Sequence, residues 1–459
     1  MKKIIMMIAA VLMLSAPATM AQKINEESIK AKLTKSDAAI QNEKKATKAA
    51  TWISRGDDYM SALQAPTETL FSGMELAMLK IANGEPKSVT TKNIKDVDYE
   101  VLVYPYVTVY TYGGRVAGWE TTKEIYPGAE KVALDAYAKA FELDAAQAAK
   151  AKAGIDKYIN HFAQVGDVSN ALSNYEAAGK AYLAVYDAQI LPAYNDGNST
   201  MLYYAGYMFT IAANEEPTLY ANGAEAFRRA IDAGYVETEK ADADTEESDK
   251  GNIFYYQYHC YYGQKDADAS NVMKAKETLV KGVEAFPRNQ RIIDALAQLY
   301  TTEEGVGDPN ELVAMIDNAI SSDPNNSDLW YSRGRVYFSL KDYDNSIASF
   351  TKVTELAPNL YDGHFYLGLF YIYKGDEVND KIANATYTEN AAYNKDIEAL
   401  NAVYASAIPI LERAHELKPD DLSPVEYLKS LCFRLRDNEA IMAKYTKYND
   451  LFNEMKANN

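Results

Sequence analysis

The stretch WYSRGRVYFSLKDYDNSIASFTKVTELAP, residues 330–358, decides the fold class of this chain. Counted from Ser327, the residues at offsets 4, 8, 11, 24 and 32 are Trp330, Gly334, Tyr337, Phe350 and Pro358. Apolar residues between them recur at three- and four-residue steps, the period of a helix face that packs against a partner. The glycine permits two helices to approach closely, and the proline ends the second helix. The stretch therefore predicts a helix–turn–helix unit of 34 residues.

This spacing resembles the tetratricopeptide repeat (TPR), in which such helix pairs stack side by side. One pair leaves an apolar face uncovered, and since only a neighbouring repeat can bury it, further copies are expected. The resemblance covers most of the chain beyond about residue 45 and is tightest over residues 274–419. It implies an all-α fold, a right-handed α-solenoid of about eight TPR-like helix pairs that ends in a pair over residues 422–455. The degenerate first copy has Trp52, Gly56 and Tyr59, then resumes at Ala133, Tyr137 and Ala140.

An insertion in the first repeat predicts a β-hairpin over residues 98–126. The sequence there alternates with a period of two, and Gly113 and Gly114 at its centre favour a tight turn. The expected cross-strand pairs are Tyr112–Arg115, Tyr110–Ala117, Thr108–Trp119 and Tyr106–Thr121. One face then carries the aromatic residues Tyr104, Tyr106, Tyr110, Tyr112 and Trp119. Either this face packs on the repeats or on other inserted segments, or it forms an open binding platform.

The first residues resemble an export signal. Two lysines precede an apolar run over residues 4–14, and small residues stand one and three positions before Gln22. Because the run is too short to span a bilayer, the pattern predicts a secretory signal peptide over residues 1–21, cleaved after Ala21. The protein is then expected in the periplasm or outside the cell, without a transmembrane segment. An association with the outer membrane would pass through a partner.

The rest of the chain divides by the quality of its repeats. Residues 22–47 predict a leader segment, either a frayed helix or a flexible arm. Degenerate repeats with the hairpin follow over residues 48–250, and the clearer array occupies residues 251–459, with a second insertion at 377–403. The acidic run at 237–249 is interpreted as a solvated loop between repeats.

Composition and motifs give no reason to expect chemistry. The formal charge of −18 argues against a nucleic-acid partner, because phosphate binding needs a basic surface. Cys260 and Cys432 lie about five repeats apart, so two free, buried thiols are expected. The four histidines fall in separate repeats, and the sequence has no paired-cysteine zinc motif and no glycine-rich phosphate loop. We therefore expect no metal, no cofactor and no enzymatic activity.

The resemblance implies a ligand groove lined by the first helix of each repeat. Carried onto the clear repeats, its lining positions are Tyr331, Arg335, Phe338, Ser339, Phe365, Leu369, Ile372 and Tyr373. A mixed aromatic groove with one fixed cation suits a peptide, although an insertion or a neighbouring helix would equally cover it. The expected function is an exported scaffold that binds proteins or peptides in a bacterial cell envelope. The alternative is a glycan-binding accessory protein of an outer-membrane nutrient-uptake system, which would use the tyrosine and tryptophan platform.

Overall fold

The computed structural model describes residues 24–235, 250–287 and 289–458, and the chain divides into two compact units at residues 233–234. The predicted signal peptide and the acidic run at 237–249 lie outside the described residues. Both units are predominantly helical, as expected for the predicted fold class.

The first unit begins with helices α1 (Glu26–Gln41), α2 (Glu43–Ala46), α3 (Ala49–Gln64) and α4 (Leu76–Asn83). Four strands follow, β1 (Ser88–Ile94), β2 (Val97–Val103), β3 (Val107–Tyr112) and β4 (Arg115–Thr121). The unit continues with α5 (Ala129–Leu143), α6 (Ala148–Ala171), α7 (Tyr175–Gln189), α8 (Thr200–Ala212) and α9 (Tyr220–Asp232).

The second unit consists of helices throughout its described part. They are α10 (Asn252–Tyr262), α11 (Ser270–Ala285), α12 (Gln290–Thr302), α13 (Pro309–Ser322), α14 (Ser327–Ser339), α15 (Tyr343–Leu356), α16 (Tyr361–Asn384), α17 (Asn390–Leu417), α18 (Leu422–Arg434) and α19 (Glu439–Asn458). The predicted boundary at residue 250 lies in the link between α9 and α10, which also contains the division between the units.

Consecutive helices pack where a glycine on one meets a large side chain on the next. A Cβ atom built on Gly56 of α3 would lie 2.6 Å from Cζ of Tyr137 on α5, so these helices pair across the whole insertion as predicted. The same close approach pairs Gly334 with Phe350, at 2.6 Å from its Cε2. Further pairs of this kind are Gly166–Tyr182, Gly206–Phe227 and Gly368–Leu411. The handedness of the array and the number of repeats stay predictions.

The inserted segment forms a four-stranded antiparallel sheet in the order β1-β2-β3-β4 and not the predicted two-stranded hairpin. The first strand predicted for residues 98–112 is divided, because β2 ends at Val103 and β3 begins at Val107. The glycine turn between β3 and β4 lies at the predicted position, with φ of 58° and 74° at Gly113 and Gly114. The strand β1 was not predicted. Its turn to β2 uses Lys95 and Asp96, also at positive φ, and because neither is a glycine the turn gave a weaker sequence signal.

The predicted register of β3 and β4 is wrong beyond the turn. Tyr112 does pair with Arg115, but the register shifts between Tyr110 and Thr111, and from there on Tyr110 pairs with Gly118 and Val109 with Trp119. A bulge of one residue moves every later side chain to the opposite face. The predicted pairs Tyr110–Ala117, Thr108–Trp119 and Tyr106–Thr121 are therefore absent.

Strands β3 and β4 are covered on both faces. Gly118 of β4 lies against Val168 of α6 and Leu172 at its C-terminal end, where an added Cβ would come within 3.1 Å of both side chains. The segment before β1 contributes to the same core. Its buried members are Leu70, Met74 and Leu79, and they cluster with Leu102, Val107, Val109 and Trp119. Burial on both sides gives the sheet the support that an isolated hairpin lacks.

The leader segment is helical, and its flexible-arm alternative is wrong for residues 26–46. Leu33 of α1 is 2% exposed and joins the core of the first repeat with Tyr59 and Tyr137. The start of α1 is tied to the sheet, because Glu26 accepts hydrogen bonds from Tyr106 (2.5 Å) and Lys123 (2.8 Å). Each of these contacts fixes the helix to a different part of the insertion.

The second insertion lengthens a helix pair and does not form a separate element. Helices α16 and α17 run on past the repeat length, and Tyr404 packs where an added Cβ on Gly375 would lie 2.8 Å from its Cζ. The Tyr404 hydroxyl donates to Asp376 (2.6 Å) and accepts from Arg434 of α18 (2.8 Å). Helices α18 and α19 form the predicted terminal pair, with Lys429 at 4.2 Å from the centre of the Phe452 ring.

Candidate binding groove

The two predicted groove residues nearest the start of α14 are buried. Tyr331 is 1% exposed and Arg335 is 7% exposed. The Nη2 atom of Arg335 donates to both carboxylate oxygens of Asp294 on α12, at 2.9 and 2.7 Å. The predicted fixed cation of the groove, Arg335, thus has its charge balanced by a carboxylate that is itself half exposed.

A polar network links three helices beneath this ion pair. Gln290 on α12 donates to the hydroxyls of Tyr331 (2.8 Å) and Tyr366 (2.5 Å), and the Arg335 guanidinium lies 5.0 Å from the centre of the Tyr366 ring. Within the described part of the chain, the buried Nε of Arg335 has no hydrogen-bond partner. These contacts fix α12, α14 and α16 relative to one another, so the groove has a rigid floor.

The open part of the groove is a ring cluster, which we define as Phe338, Tyr343 and Tyr373. The Tyr373 ring is 40% exposed and lies 5.1 Å from Phe338 and 6.1 Å from Tyr343, nearly parallel to the latter. Phe338 in turn stacks at 4.8 Å on Phe370, which is 1% exposed. The ring cluster is thus an aromatic surface supported by the core beneath it.

Ion pairs lie beside the ring cluster. Lys374, next to Tyr373, is bound at 2.8 Å to Asp344 and at 3.2 Å to Glu377. Its hydrogen bond to Asp344 is the main reason that the pKa of Lys374 is raised. The Asp344 side chain is 73% exposed, but Lys374 balances its charge, and Lys381 adds a second ion pair to Glu377 at 2.8 Å. Burial raises the pKa of the Tyr343 hydroxyl, which stays protonated near neutral pH.

The other predicted groove residues are half-buried and contact neighbouring helices. Ser339 donates to the Arg335 carbonyl at 3.2 Å. Phe365 stacks at 5.5 Å on Tyr361 and lies 6.1 Å from Tyr427 of α18. Both Phe365 and Ile372 pack against the core that α17 and α18 share. Leu369 is half-buried as well. Of the eight predicted residues, Phe338 and Tyr373 are the ones that join the ring cluster.

The aromatic platform predicted on the hairpin is not an open face. Tyr104, Tyr110 and Trp119 are 3%, 4% and 5% exposed, and Tyr106 is half-buried. Tyr112 is 62% exposed, and the centre of its ring lies 6.0 Å from that of Tyr99. Trp119 shares its face with Val109, because the bulge shifted the register. The structure thus agrees with the interpretation that these rings pack on the chain itself.

Sequence reasoning missed Asp294, Gln290 and Tyr343. A sequence signal for Asp294 was present. Asn289 and Asn326 are the N-cap residues of α12 and α14, and counting five residues from each cap gives Asp294 and Tyr331. Tyr343 is the first residue of α15, the second helix of its repeat, so it falls outside the positions assigned to the groove.

Among the described residues, no group of three or more histidine, cysteine or acidic side chains is placed to hold a metal ion. Burial lowers the pKa of His161 to about 4 and raises the pKa of the Cys432 thiol to about 11. Both cysteines are buried, and neither forms a disulfide. Across the same residues, no helix is long and apolar enough to span a membrane.

The chain is similar to known repeat proteins. The family model described as tetratricopeptide repeat matches residues 327–360. Mouse interferon-induced protein with tetratricopeptide repeats 2 is 26% identical over 136 residues, which are 30% of this chain and 26% of that protein. This chain thus matches about a quarter of that relative's length. The family resemblance predicted from the spacing of Trp330 to Pro358 is confirmed.

Two solved structures can be superposed on part of this chain. A monomeric mutant of IFIT1 with Gppp-AAAA aligns over 70% of this chain and 68% of its own, at 12% identity and a TM-score of 0.31. The C-terminal part of a TPR repeat-containing protein from Cytophaga hutchinsonii aligns over 64% and 95%, at 15% identity and a TM-score of 0.31. Superpositions at these scores carry no argument about ligands.

Proposed function

Because the chain carries a tetratricopeptide repeat at residues 327–360 within a succession of packed helix pairs, we propose that it is an interaction scaffold. It binds a segment of a partner protein at the ring cluster of α14, α15 and α16. The observation that carries this proposal is Tyr373, an aromatic ring 40% exposed on a rigid, buried support. Exposed aromatic rings on a fixed scaffold are favoured anchor points in protein interfaces.

The surroundings of the ring cluster favour an apolar segment. The rings accept an apolar or aromatic side chain. Asp344 and Glu377 are ion-paired with Lys374, and Glu377 also with Lys381, so these carboxylates do not select a basic ligand. Arg335 does not select an acidic ligand, since Asp294 already balances its charge. A segment with an apolar or aromatic anchor therefore suits this surface best.

We also propose that the scaffold works in a bacterial cell envelope. The support is the pattern of the first 21 residues, with two lysines, an apolar run and small residues before Gln22. Cell fractionation with N-terminal sequencing tests it: the mature chain is expected in the periplasm or the medium and to begin at Gln22. A full-length protein in the cytoplasm would contradict the export proposal. It would not bear on the proposal that the ring cluster binds a partner.

The binding proposal is tested with two variants of matched exposure. Tyr373→Ala removes the open ring of the ring cluster, whereas Tyr393→Ala removes a ring that is 43% exposed in the second insertion. Cross-linking of the full chain in its native envelope, followed by affinity purification and mass spectrometry, should identify a partner that Tyr373→Ala loses and Tyr393→Ala retains. Identical partners for both variants would contradict binding at the ring cluster.

The glycan-binding alternative rested on the aromatic platform of the hairpin. Since Tyr104, Tyr110 and Trp119 are buried, no observation favours that function, and we propose no second one.

A further inference from the structure

Three tyrosine hydroxyls at the ring cluster have no hydrogen-bond partner among the residues that the structure describes. They belong to Tyr343 of α15, Tyr373 of α16 and Tyr427 of α18, and we call them the hydroxyl row. Other tyrosines of the second unit use this group to connect helices. Tyr361 of α16, for example, donates to Asp421 beside α18 at 2.9 Å. The hydroxyl row therefore remains available to donate to a ligand.

The hydroxyl row reaches solvent, and Tyr373 lies near its other two members. Tyr373 is 40% exposed, and the centre of its ring lies 6.1 Å from that of Tyr343. Neither Tyr343 nor Tyr427 is among the described residues whose buried polar atoms lack a partner, so both hydroxyls are accessible to water. Burial raises the pKa of these two hydroxyls, and the nearby Tyr373 adds to each rise. Both are therefore protonated donors at neutral pH.

The ion pairs beside the ring cluster balance one another. Lys374 and Lys381 pair with Asp344 and Glu377, and the charge of Arg335 is balanced as well. The surface thus offers apolar rings with neutral donors next to them. An uncharged segment suits it best, provided that the segment has apolar side chains and carbonyl oxygens that are free to accept hydrogen bonds.

The free donors favour one backbone conformation of the ligand. A helix bonds its own carbonyls except in its last turn, so a helical segment could not accept from the whole hydroxyl row. A β-strand brings N–H groups that need acceptors, and the carbonyls of the helices that form this surface are bonded within those helices. In polyproline II the carbonyls are solvated, and proline has no N–H group. A proline-rich segment therefore satisfies the hydroxyls without adding unpaired donors.

We propose that the segment bound at the ring cluster is proline-rich and adopts the polyproline II conformation. Its pyrrolidine rings pack on Phe338 and Tyr373, and its carbonyls accept hydrogen bonds from Tyr343, Tyr373 and Tyr427. Such a segment loses little conformational entropy on binding, because it holds its bound shape in solution. The proposal rests on the function proposed above and names the class of partner segment that the ring cluster binds.

The test uses the full chain, a defined probe and variants that keep every ring. The probe is fluorescein-labelled decaproline, and a glycine–serine peptide of the same length is its control, because that peptide has carbonyls but no fixed conformation. Tyr343→Phe, Tyr373→Phe and Tyr427→Phe each remove one hydroxyl. The matched control is Tyr393→Phe in the second insertion, where the ring is 43% exposed. Circular dichroism and thermal unfolding establish that all four variants fold.

Fluorescence anisotropy is expected to show binding of decaproline that each variant of the hydroxyl row weakens about threefold to tenfold, the effect of losing one neutral hydrogen bond. Tyr393→Phe should bind decaproline as the natural chain does. The glycine–serine peptide should bind at least about tenfold more weakly than decaproline, because its ordering costs conformational entropy. Absence of decaproline binding, or equal binding by all four variants, overturns the proposal.

A leucine-containing helical peptide tests the other conformation that a bound segment could adopt. If this peptide binds more tightly than decaproline and Tyr373→Phe does not weaken it, the segment is helical and the proposal is overturned. The scaffold function is tested separately, by the native partners that Tyr373→Ala loses and Tyr393→Ala retains. A native partner lost from Tyr373→Ala, together with no binding of decaproline, would overturn the proline-rich segment and leave the scaffold function supported.

Discussion

Adding one methyl group at Gly56 should destabilise the first unit, although the same change stabilises most helices. In a helix interior, glycine to alanine gains about 1 kcal/mol of intrinsic helix propensity. Here the new Cβ would lie 2.6 Å from Cζ of Tyr137, which is fully buried. The ring cannot retreat, because a Cβ on Gly154 behind it would lie 2.7 Å from its Cδ1, and its hydroxyl is bonded to Asp57 at 3.1 Å.

Overpacking of a tight core costs about 1–3 kcal/mol, and a ring held on both sides places Gly56→Ala near the upper end. Subtracting the propensity gain leaves a net loss of about 1–2 kcal/mol. For a unit of this size, that loss lowers the melting temperature by roughly 2–8 °C.

Urea and thermal unfolding, followed by circular dichroism, measure the effect. The control is the same substitution in a Tyr137→Ala background, where the ring is gone and the extra methyl should stabilise by about 1 kcal/mol. The same substitution should thus destabilise the protein when Tyr137 is present and stabilise it when Tyr137 is absent. If Gly56→Ala stabilises the protein that retains Tyr137, then α3 and α5 do not pack as described and the reasoning is refuted.

Three further measurements test burial and charge. In a chain with Trp52→Phe and Trp330→Phe, the remaining Trp119 should emit at short wavelength and resist acrylamide quenching, whereas a solvent-like spectrum would contradict its 5% exposure. Hydrogen bonds from Lys123, Lys30 and a tyrosine lower the pKa of Glu26 from 4.5 to about 2, so its stabilising contribution is complete above pH 4.5 and is lost as the pH falls towards 2. The stability difference between the natural chain and Glu26→Gln should therefore shrink over that range, and a difference that does not change with pH would argue against the contact. The Cys432 thiol, with its pKa raised to about 11, should react with a disulfide reagent far more slowly in the folded chain than in urea, and equal rates would show that it is accessible.

Sequence spacing predicted the helix pairs well because one physical requirement recurs in each of them. A glycine must stand where a ring of the next helix arrives, as Gly334 does for Phe350. Because that requirement is local and recurs in each repeat, it can be recognised even where a long insertion separates the two helices. It correctly joined Gly56 to Tyr137 across the sheet.

The sheet was predicted less well because its details depend on backbone geometry that leaves little trace in residue type. The turn at Lys95 and Asp96 adopts positive φ without a glycine, so β1 escaped notice. The bulge after Tyr110 shifted the register by one residue, which placed Trp119 with the buried valines. Alternation alone cannot reveal a bulge, since the pattern on either side of it still has a period of two.

For the groove, the sequence did not show which side chains remain exposed. Arg335 was predicted as the fixed cation of the groove, and its charge is balanced by Asp294 of the preceding repeat. Partners of this kind lie some forty residues away, and the resemblance gives positions without giving their pairings. Tyr373 is exposed, and its role in binding stays a prediction.

The separation of Gly56 from Tyr137 also bears on how the chain folds. Ordinary repeats close a loop of about 16 residues, whereas this pair closes one of about 81, which costs roughly 1.4 kcal/mol more in chain entropy. Contacts between Gly73 and Val116 shorten that path by about half once the sheet has formed. We therefore expect the regular repeats of the second unit to form earlier, from local contacts, than the first repeat, whose helices are brought together by the inserted sheet.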